Sequence, residues 1–318
     1  MTTVASHRRS GALTGPRSFT VVERYPVLSL TAREPGRTGP HGGEFRGIEG
    51  GLRFFLRTHP ARIGDPLATL ADGGVLTFVA TLLTHRLNLQ QSLAPPLIFT
   101  SAACLRALGR PVGGQQHRLL AAQIARLSNT VMSTDLRGQH DCHRIIERAE
   151  RVDGRWQIDV SPFLTREVQE YRILQIDPCA LDLRGLERRI YGWARTYCGG
   201  PTGTYALPLK RAFVLSGSTD KPRRFRHALN AIVESNRLPG INLSLSGDGA
   251  DTVLTLVRQE AGRQPPPQFE KAAPEELSLE DIFGPMTPEL AEIFGQTDQA
   301  RRTRTHFDTE DLLLPDGL

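Results

Sequence analysis

The 318-residue sequence predicts an α+β protein built as tandem winged-helix domains, with a flexible N-terminal segment and an acidic C-terminal segment. Three observations carry this. An order of helix, short strand, helix, helix and hairpin occurs twice along the chain. Landmarks of the two occurrences keep one offset, Gly109 to Gly217 and Ile124 to Ile232 both being 108 positions apart. Charge is also partitioned: residues 1–260 carry 34 Lys and Arg against 22 Asp and Glu, whereas 261–318 carry 5 against 12. The expected division is a flexible segment over 1–20, a first domain with additional β structure over 21–162, a second over 163–261, and an acidic flexible tail over 262–318.

In chain order, the Gly, Ser, Arg and Pro mixture of the first twenty residues lacks apolar periodicity and predicts disorder. Val21–Leu30 is an apolar stretch that reads as extended, followed by a Gly- and Pro-rich turn region over 34–43. Glu44–Ile48 and Leu52–Arg57 predict a hairpin around Gly50-Gly51. Asp72 is an N-cap candidate before Val75, Leu76, Val79, Leu82 and Leu83, which recur at helical spacing. Ile98-Phe99 predicts a strand, Thr100 or Ser101 a cap for a helix through Leu108, and Gly109–Gly114 a turn.

The next helix starts near Gln115. Leu119, Leu120, Gln123, Ile124 and Leu127 are expected on its buried face, with Arg118, Ala122 and Ala125 opposite. Thr130–Leu136, Ile145–Val152 and Trp156–Val160 read as strands, the last two joined by an Asp153-Gly154 turn. The second occurrence begins with Asp177-Pro178 and a helix lined by Leu181, Leu186, Ile190, Trp193 and Ala194. Tyr205–Leu207 is a strand, Leu209–Leu215 a helix stopped by Gly217, and Pro222 opens a helix with Phe225, Ala228, Leu229 and Ile232 inward. Ile241–Leu245 and Thr252–Val257 form the closing hairpin.

A chain with this cationic body suits a polyanion, because clustered Lys and Arg release condensed counterions from phosphate. On the second of these late helices, Arg223, Arg226, His227 and Asn230 are expected to project away from the apolar face. An arginine fork matches the acceptor edge of guanine and asparagine matches adenine, while Lys210, Arg211, Lys221 and Arg224 suit phosphate. In the first domain, Arg118, Ala122 and Arg126 are the corresponding candidates, and Arg148, Arg151 and Arg155 are expected phosphate contacts on the hairpin.

No enzyme signature competes with this reading. The glycine pairs lack phosphate-loop spacing, and no serine sits in a nucleophile-elbow motif. His140-Asp141-Cys142-His143 holds metal-capable side chains, but adjacent positions cannot all converge on one ion and no cysteine pair assists; a loop is expected there and no metal. No cofactor is expected. No apolar run is long enough to span a bilayer, and the four scattered cysteines, without a leader-like apolar segment, predict a reduced, cytoplasmic protein. In the acidic tail, Leu277–Gly284 and Thr287–Gly295 both end in Ile-Phe-Gly after acidic residues, a pattern suited to partner contact or to replacing DNA.

Several short segments resemble those of the RepA-type plasmid replication initiators. These are Tyr25–Leu30, Gly109-Arg110 with Gly113-Gly114, Arg126–Val131, Ser216–Ser218, Phe225-Arg226 with Leu229, and Asn236 with Leu238–Gly240. Asn129-Thr130 departs from the family's Gly-Thr, and Gly64–Leu67 from its tryptophan-aspartate element. The resemblance covers about residues 23–260. It implies binding of repeated duplex sites at a plasmid origin, local opening, recruitment of host replication proteins, and a homodimer serving autorepression and copy control. A transcriptional repressor or a non-enzymatic interaction adaptor is the alternative.

Overall fold

The computed structural model describes residues 15–30, 44–49, 51–199, 203–247 and 249–259. The expected disorder before residue 15, the turn region 34–43 and the acidic tail 262–318 lie outside the described residues.

Residues 17–20, expected within a flexible segment, are ordered here. β1 (Arg17–Phe19) pairs antiparallel with Ile173–Gln175, and α1 (Thr20–Arg24) follows at once. The apolar stretch Val21–Leu30, expected to be extended, opens instead with this helix. Burial decides it, since Val21, Val22 and Glu23 are all enclosed and tertiary packing outweighs a propensity of under about 1 kcal/mol. β2 (Glu44–Glu49) and β3 (Leu52–Pro60) form the predicted hairpin, with Gly51 at a positive φ of 82°.

The first repeat then runs through α2 (Gly73–Asn88), β4 (Leu97–Thr100), α3 (Ser101–Ala107) and α4 (Gly114–Asn129). α2 is apolar nearly all round and central, with Val75, Leu76, Phe78, Val79, Ala80, Leu82 and Leu83 buried. Thr100 caps α3 by accepting the Ala103 N–H at 3.1 Å. β5 (Thr130–Thr134) and β6 (Asp141–Arg144) extend the β2–β3 hairpin into a four-stranded sheet of order β2-β3-β5-β6. The segment around His140–His143 was expected to be a loop; Asp141–Arg144 is a strand because it completes the ladder on β5. β7 (Ile146–Val152) and β8 (Arg155–Val160) close the repeat around Asp153 and Gly154, both at positive φ, as a two-residue hairpin requires.

After α5 (Pro162–Gln169) and β9 (Ile173–Gln175), the second repeat runs through α6 (Gly185–Tyr197), β10 (Thr204–Pro208), α7 (Leu209–Ser216), α8 (Pro222–Ser235), β11 (Ile241–Ser246) and β12 (Val253–Arg258). Asp177 caps a separate short turn, Pro178–Asp182, rather than α6 itself. Each repeat has a three-stranded sheet in which the last strand lies between the other two, β4-β8-β7 and β10-β12-β11. The offset of 108 holds at element level: α3 and α7 start at 101 and 209, α4 and α8 at 114 and 222. It fails beyond α4 because β5 and β6 intervene only in the first repeat. Gly109 and Gly217, one offset apart, both take left-handed φ, 63° and 66°, to end their helices.

The repeats meet through α1. Glu23 of α1 is buried against Arg188 of α6, with Arg189 nearby. Burial alone would raise the Glu23 carboxyl, but Arg188 and Ser18 outweigh it and hold it below its ordinary 4.5. Its stabilising contribution is therefore present above pH 4.5 and is lost as pH falls through the lowered folded value. Glu23→Gln is expected to flatten the acid side of the melting-temperature profile, measured by thermal melts across about pH 3–6.

Candidate nucleic-acid interface

α8 is set in rotation by two residues. Phe225 and Leu229 are buried, Phe225 meeting Phe213 of α7 edge-on with ring centroids 5.2 Å apart. Turning 100° per residue from these anchors places Arg223, His227 and Asn230 on the far side, and all three are exposed. Ala228 and Ala231 are exposed beside them, so Ala228 is not on the inward face expected for it. Glu234 lies in line with Arg223, His227 and Asn230 and places an acid on the same exposed side.

Lys221 and Arg224 are exposed at the start of α8, and Lys210 and Arg211 in the first turn of α7. Arg224 has a loose pair with Asp220 at 3.8 Å, which at this exposure offsets little of its charge. Among the described residues, no carboxylate lies within ion-pair distance of Lys210, Arg211, Lys221, Arg223 or Arg226.

Arg226 departs from the expected outward position. It sits on the flank of α8, where Nη2 donates to Thr252 Oγ1 at 2.8 Å and Nη1 reaches the Gly249 carbonyl at 3.5 Å. Both partners are neutral, so the guanidinium ties the β11–β12 turn to the helix while keeping its charge. Arg226→Ala is expected to speed amide exchange at Thr252 and in the strand ends beside it by about tenfold, the loss of one hydrogen bond of a charged donor. Exchange in α6 is expected to stay unchanged, and hydrogen-exchange mass spectrometry reads both.

In the first repeat, α4 exposes Gln115, Arg118, Ala122 and Ala125 on one side. Leu119, expected inward, is 48% exposed next to them. Gln123 is buried, donating to the Ala71 carbonyl at 2.7 Å and accepting from Arg110 at 3.0 Å.

Arg126 has a structural task instead of the expected outward one. Its Nη2 and Nε donate to the two Asp72 carboxylate oxygens at 2.6 and 3.0 Å, and Asp72 is wholly buried. Asp72 does not cap α2 with its side chain either, because the carboxylate turns back to Thr69 and across to Arg126. The pairing raises the Arg126 guanidinium above its ordinary value, the Asp72 hydrogen bonds being the main cause.

On the β7–β8 hairpin the three predicted cations differ. Arg148 is paired with Glu150 at 2.8 Å. Arg151 is exposed and lies over Trp156, 5.7 Å from the ring centroid. Arg155 is half-buried. Trp156 itself is buried and donates to Ser101 Oγ at 3.0 Å.

A cationic face missed by the sequence reading lies on the four-stranded sheet. Arg53 and Arg57 alternate on β3 beside Arg46 on β2, all exposed. Arg46 is paired with Glu44 at 2.7 Å, and the available signal for the other two was their even spacing of four, which puts both on one face of the strand. Among the described residues no group of three or more His, Cys, Asp or Glu is arranged to hold a metal, and no helix is long and apolar enough to cross a membrane.

Known proteins share this layout. The family described as Replication initiator protein A matches residues 22–243. A protein named "Putative replication protein" from Wigglesworthia glossinidia brevipalpis is 24% identical over 194 residues, 56% of this chain and 70% of that protein. A crystal structure of domains 2 and 3 of RctB superposes with a TM-score of 0.55 at 13% identity, covering 76% of this chain and 98% of that one. Another structure of RctB domains 2-3 gives 0.50 at 14% identity, covering 76% and 96%. At those identities the likeness is one of fold.

Proposed function

The chain belongs to the replication initiator protein A family, with a role in replication initiation, and from that premise we propose that it reads repeated duplex sites at a plasmid origin through two winged helices. The observation that carries this is the equivalence of α4 and α8, placed by one 108-residue offset, each with an uncovered side opposite its core anchors. α8 enters a major groove, Arg223 reading guanine and Asn230 adenine, while Lys210, Arg211, Lys221 and Arg224 hold phosphate. α4 enters a neighbouring groove with Arg118 as its cation, Ala122 and Ala125 allowing close approach. Arg151 and Arg155 hold the flanking backbone. Arg226 adds a positive charge from α8 beside the β11–β12 turn, which itself carries Asp251.

The work is done by binding energy and not by catalysis. Bending or opening an A/T-rich segment costs on the order of 1–6 kcal/mol, a sum that phosphate contacts from two linked units offset. Host replication proteins are then recruited to the opened strand, and a dimer of the same chain represses its own promoter.

Footprinting on the DNA flanking the protein's own gene tests the reading. Protection of repeated sites, with permanganate reactivity in adjoining A/T-rich DNA, is the expected result. Protection without strand opening would assign the protein to repression, and no protection of any fragment would remove the DNA-binding reading.

A further inference from the structure

The stretch Gly15–Leu30 is fastened to both repeats. At its start β1 lies on α2, with Phe19 wholly buried and the Arg17 N–H donating to Thr81 Oγ1 at 2.8 Å. At its end the Ser29 N–H donates to the Ala68 carbonyl at 3.0 Å, and the Leu70 N–H donates back to the Ser29 carbonyl at 2.9 Å. Both ends thus belong to the first repeat.

Between them α1 is strapped to α6, the opening helix of the second. Arg188 Nη1 and Nη2 donate to the two Glu23 oxygens at 2.5 Å each, and Ser18 Oγ donates to the same carboxylate at 2.6 Å. Arg189, 2% exposed, donates to the backbone carbonyls of Val22, Tyr25 and Leu28. Gly192 permits the approach: a Cβ there would stand 2.5 Å from Glu23 Oε2 and 2.8 Å from the Glu23 carbonyl oxygen.

Where the repeats face each other directly, the turn Leu70–Asp72 packs on α6 but leaves a cleft beside it. A cavity of about 540 Å³ separates the turn carrying Pro66, Thr69 and Leu70 from Leu183, Arg184 and Gly185. Arg110 of the first repeat lies within electrostatic range of both Arg184 and Asp182, so charge at the seam favours no single arrangement. Close packing, which fixes orientation in protein interiors, is interrupted at that cleft. Directional, buried hydrogen bonds along α1 add orientation to that packing, because moving a buried guanidinium off its partners leaves an uncompensated charge.

We infer that Glu23, Arg188, Arg189 and Gly192 are positioning residues for DNA recognition, fastening α1 across the repeats and so fixing the distance and angle between α4 and α8. This rests on the two-unit reading proposed above. Two helices on one rigid frame engage two half-sites only at the matching separation. Inserting one base pair rotates a half-site by about 35° and displaces it about 3.4 Å, so a fixed frame selects spacing and a loose one tolerates change.

The test uses the full chain with Cys142→Ser and Cys179→Ser, spin-labelled at Ala122→Cys and Ala231→Cys, both exposed helix positions. Pulsed electron resonance without DNA should give one narrow distance in this parent. It should give a broadened or shifted distribution in Gly192→Ala and in Glu23→Met with Arg188→Met. Gly192→Ala is the decisive variant, because inside α6 alanine favours the helix, so a purely local role predicts a stabilised, unaltered frame.

Unlabelled proteins are then titrated with duplexes whose two half-sites are moved apart one base pair at a time. The parent should lose on the order of tenfold in affinity per misplaced pair, and the variants less than about threefold, with single half-site affinity unchanged. A narrow, unshifted distance and an undiminished spacing preference in both variants would overturn the inference. Altered distances with no duplex binding by any protein, the parent included, would leave the frame in place and overturn the DNA-binding reading instead.

Discussion

Arg126→Met is expected to destabilise the first repeat by about 3 kcal/mol or more while leaving the exposed side of α4 untouched. Asp72 is 0% exposed and takes a two-point ion pair from Arg126, with the Thr69 N–H donating at 2.8 Å as a further partner. Removing the guanidinium leaves a buried carboxylate short of its counter-charge, and that desolvation penalty is what such substitutions expose. The double variant Asp72→Asn with Arg126→Met should recover much of the loss, because the uncompensated charge goes with its partner. Arg118→Met, eight positions earlier on the exposed side, should change stability by no more than about 0.5 kcal/mol and weaken duplex binding instead. Chemical denaturation of the three variants beside a DNA titration separates the two roles. Equal stability loss at Arg118 and Arg126 would contradict the geometry.

The second large effect is on binding. Arg223→Glu with Arg224→Glu should reduce specific duplex affinity by at least about 100-fold with the melting temperature nearly unchanged, since both side chains are exposed. A bidentate arginine on guanine is worth about 1–3 kcal/mol, and reversal adds repulsion from phosphate to the lost contact. The salt dependence should change in step: if Arg224 neutralises one phosphate, the slope of log affinity against log salt falls by about 0.9 on its removal. Arg223→Met alone should lose discrimination at one base position with a smaller change of slope. A folded double variant that binds its sites as tightly as the native chain would end the assignment of α8 as the reading helix.

Much of the fold was legible because its signals are local. Helical spacing of apolar residues gave α2, α4, α6 and α8, and Asp153-Gly154, Gly109 and Gly217 fixed turns through φ values that few other residues adopt. The exposed candidates on α8 followed from the same arithmetic, since Phe225 and Leu229 face inward and 100° per residue does the rest. Arg226 was expected outward although the same arithmetic sets it about 100° from Phe225 and 60° from Leu229, on the flank; what no helical wheel contains is the hairpin turn within its reach.

What the sequence by itself determined is the order of elements, their duplication, and the side of α8 left without apolar cover. Only the tertiary structure decided which cations are free. Arg126 meets a carboxylate 54 positions away, Arg188 one 165 positions away, and β1 finds its partner strand at Ile173–Gln175. The physical reason is range: periodicity and turn chemistry act over a few residues, whereas the task of a charged side chain is set by whichever distant group shares its burial.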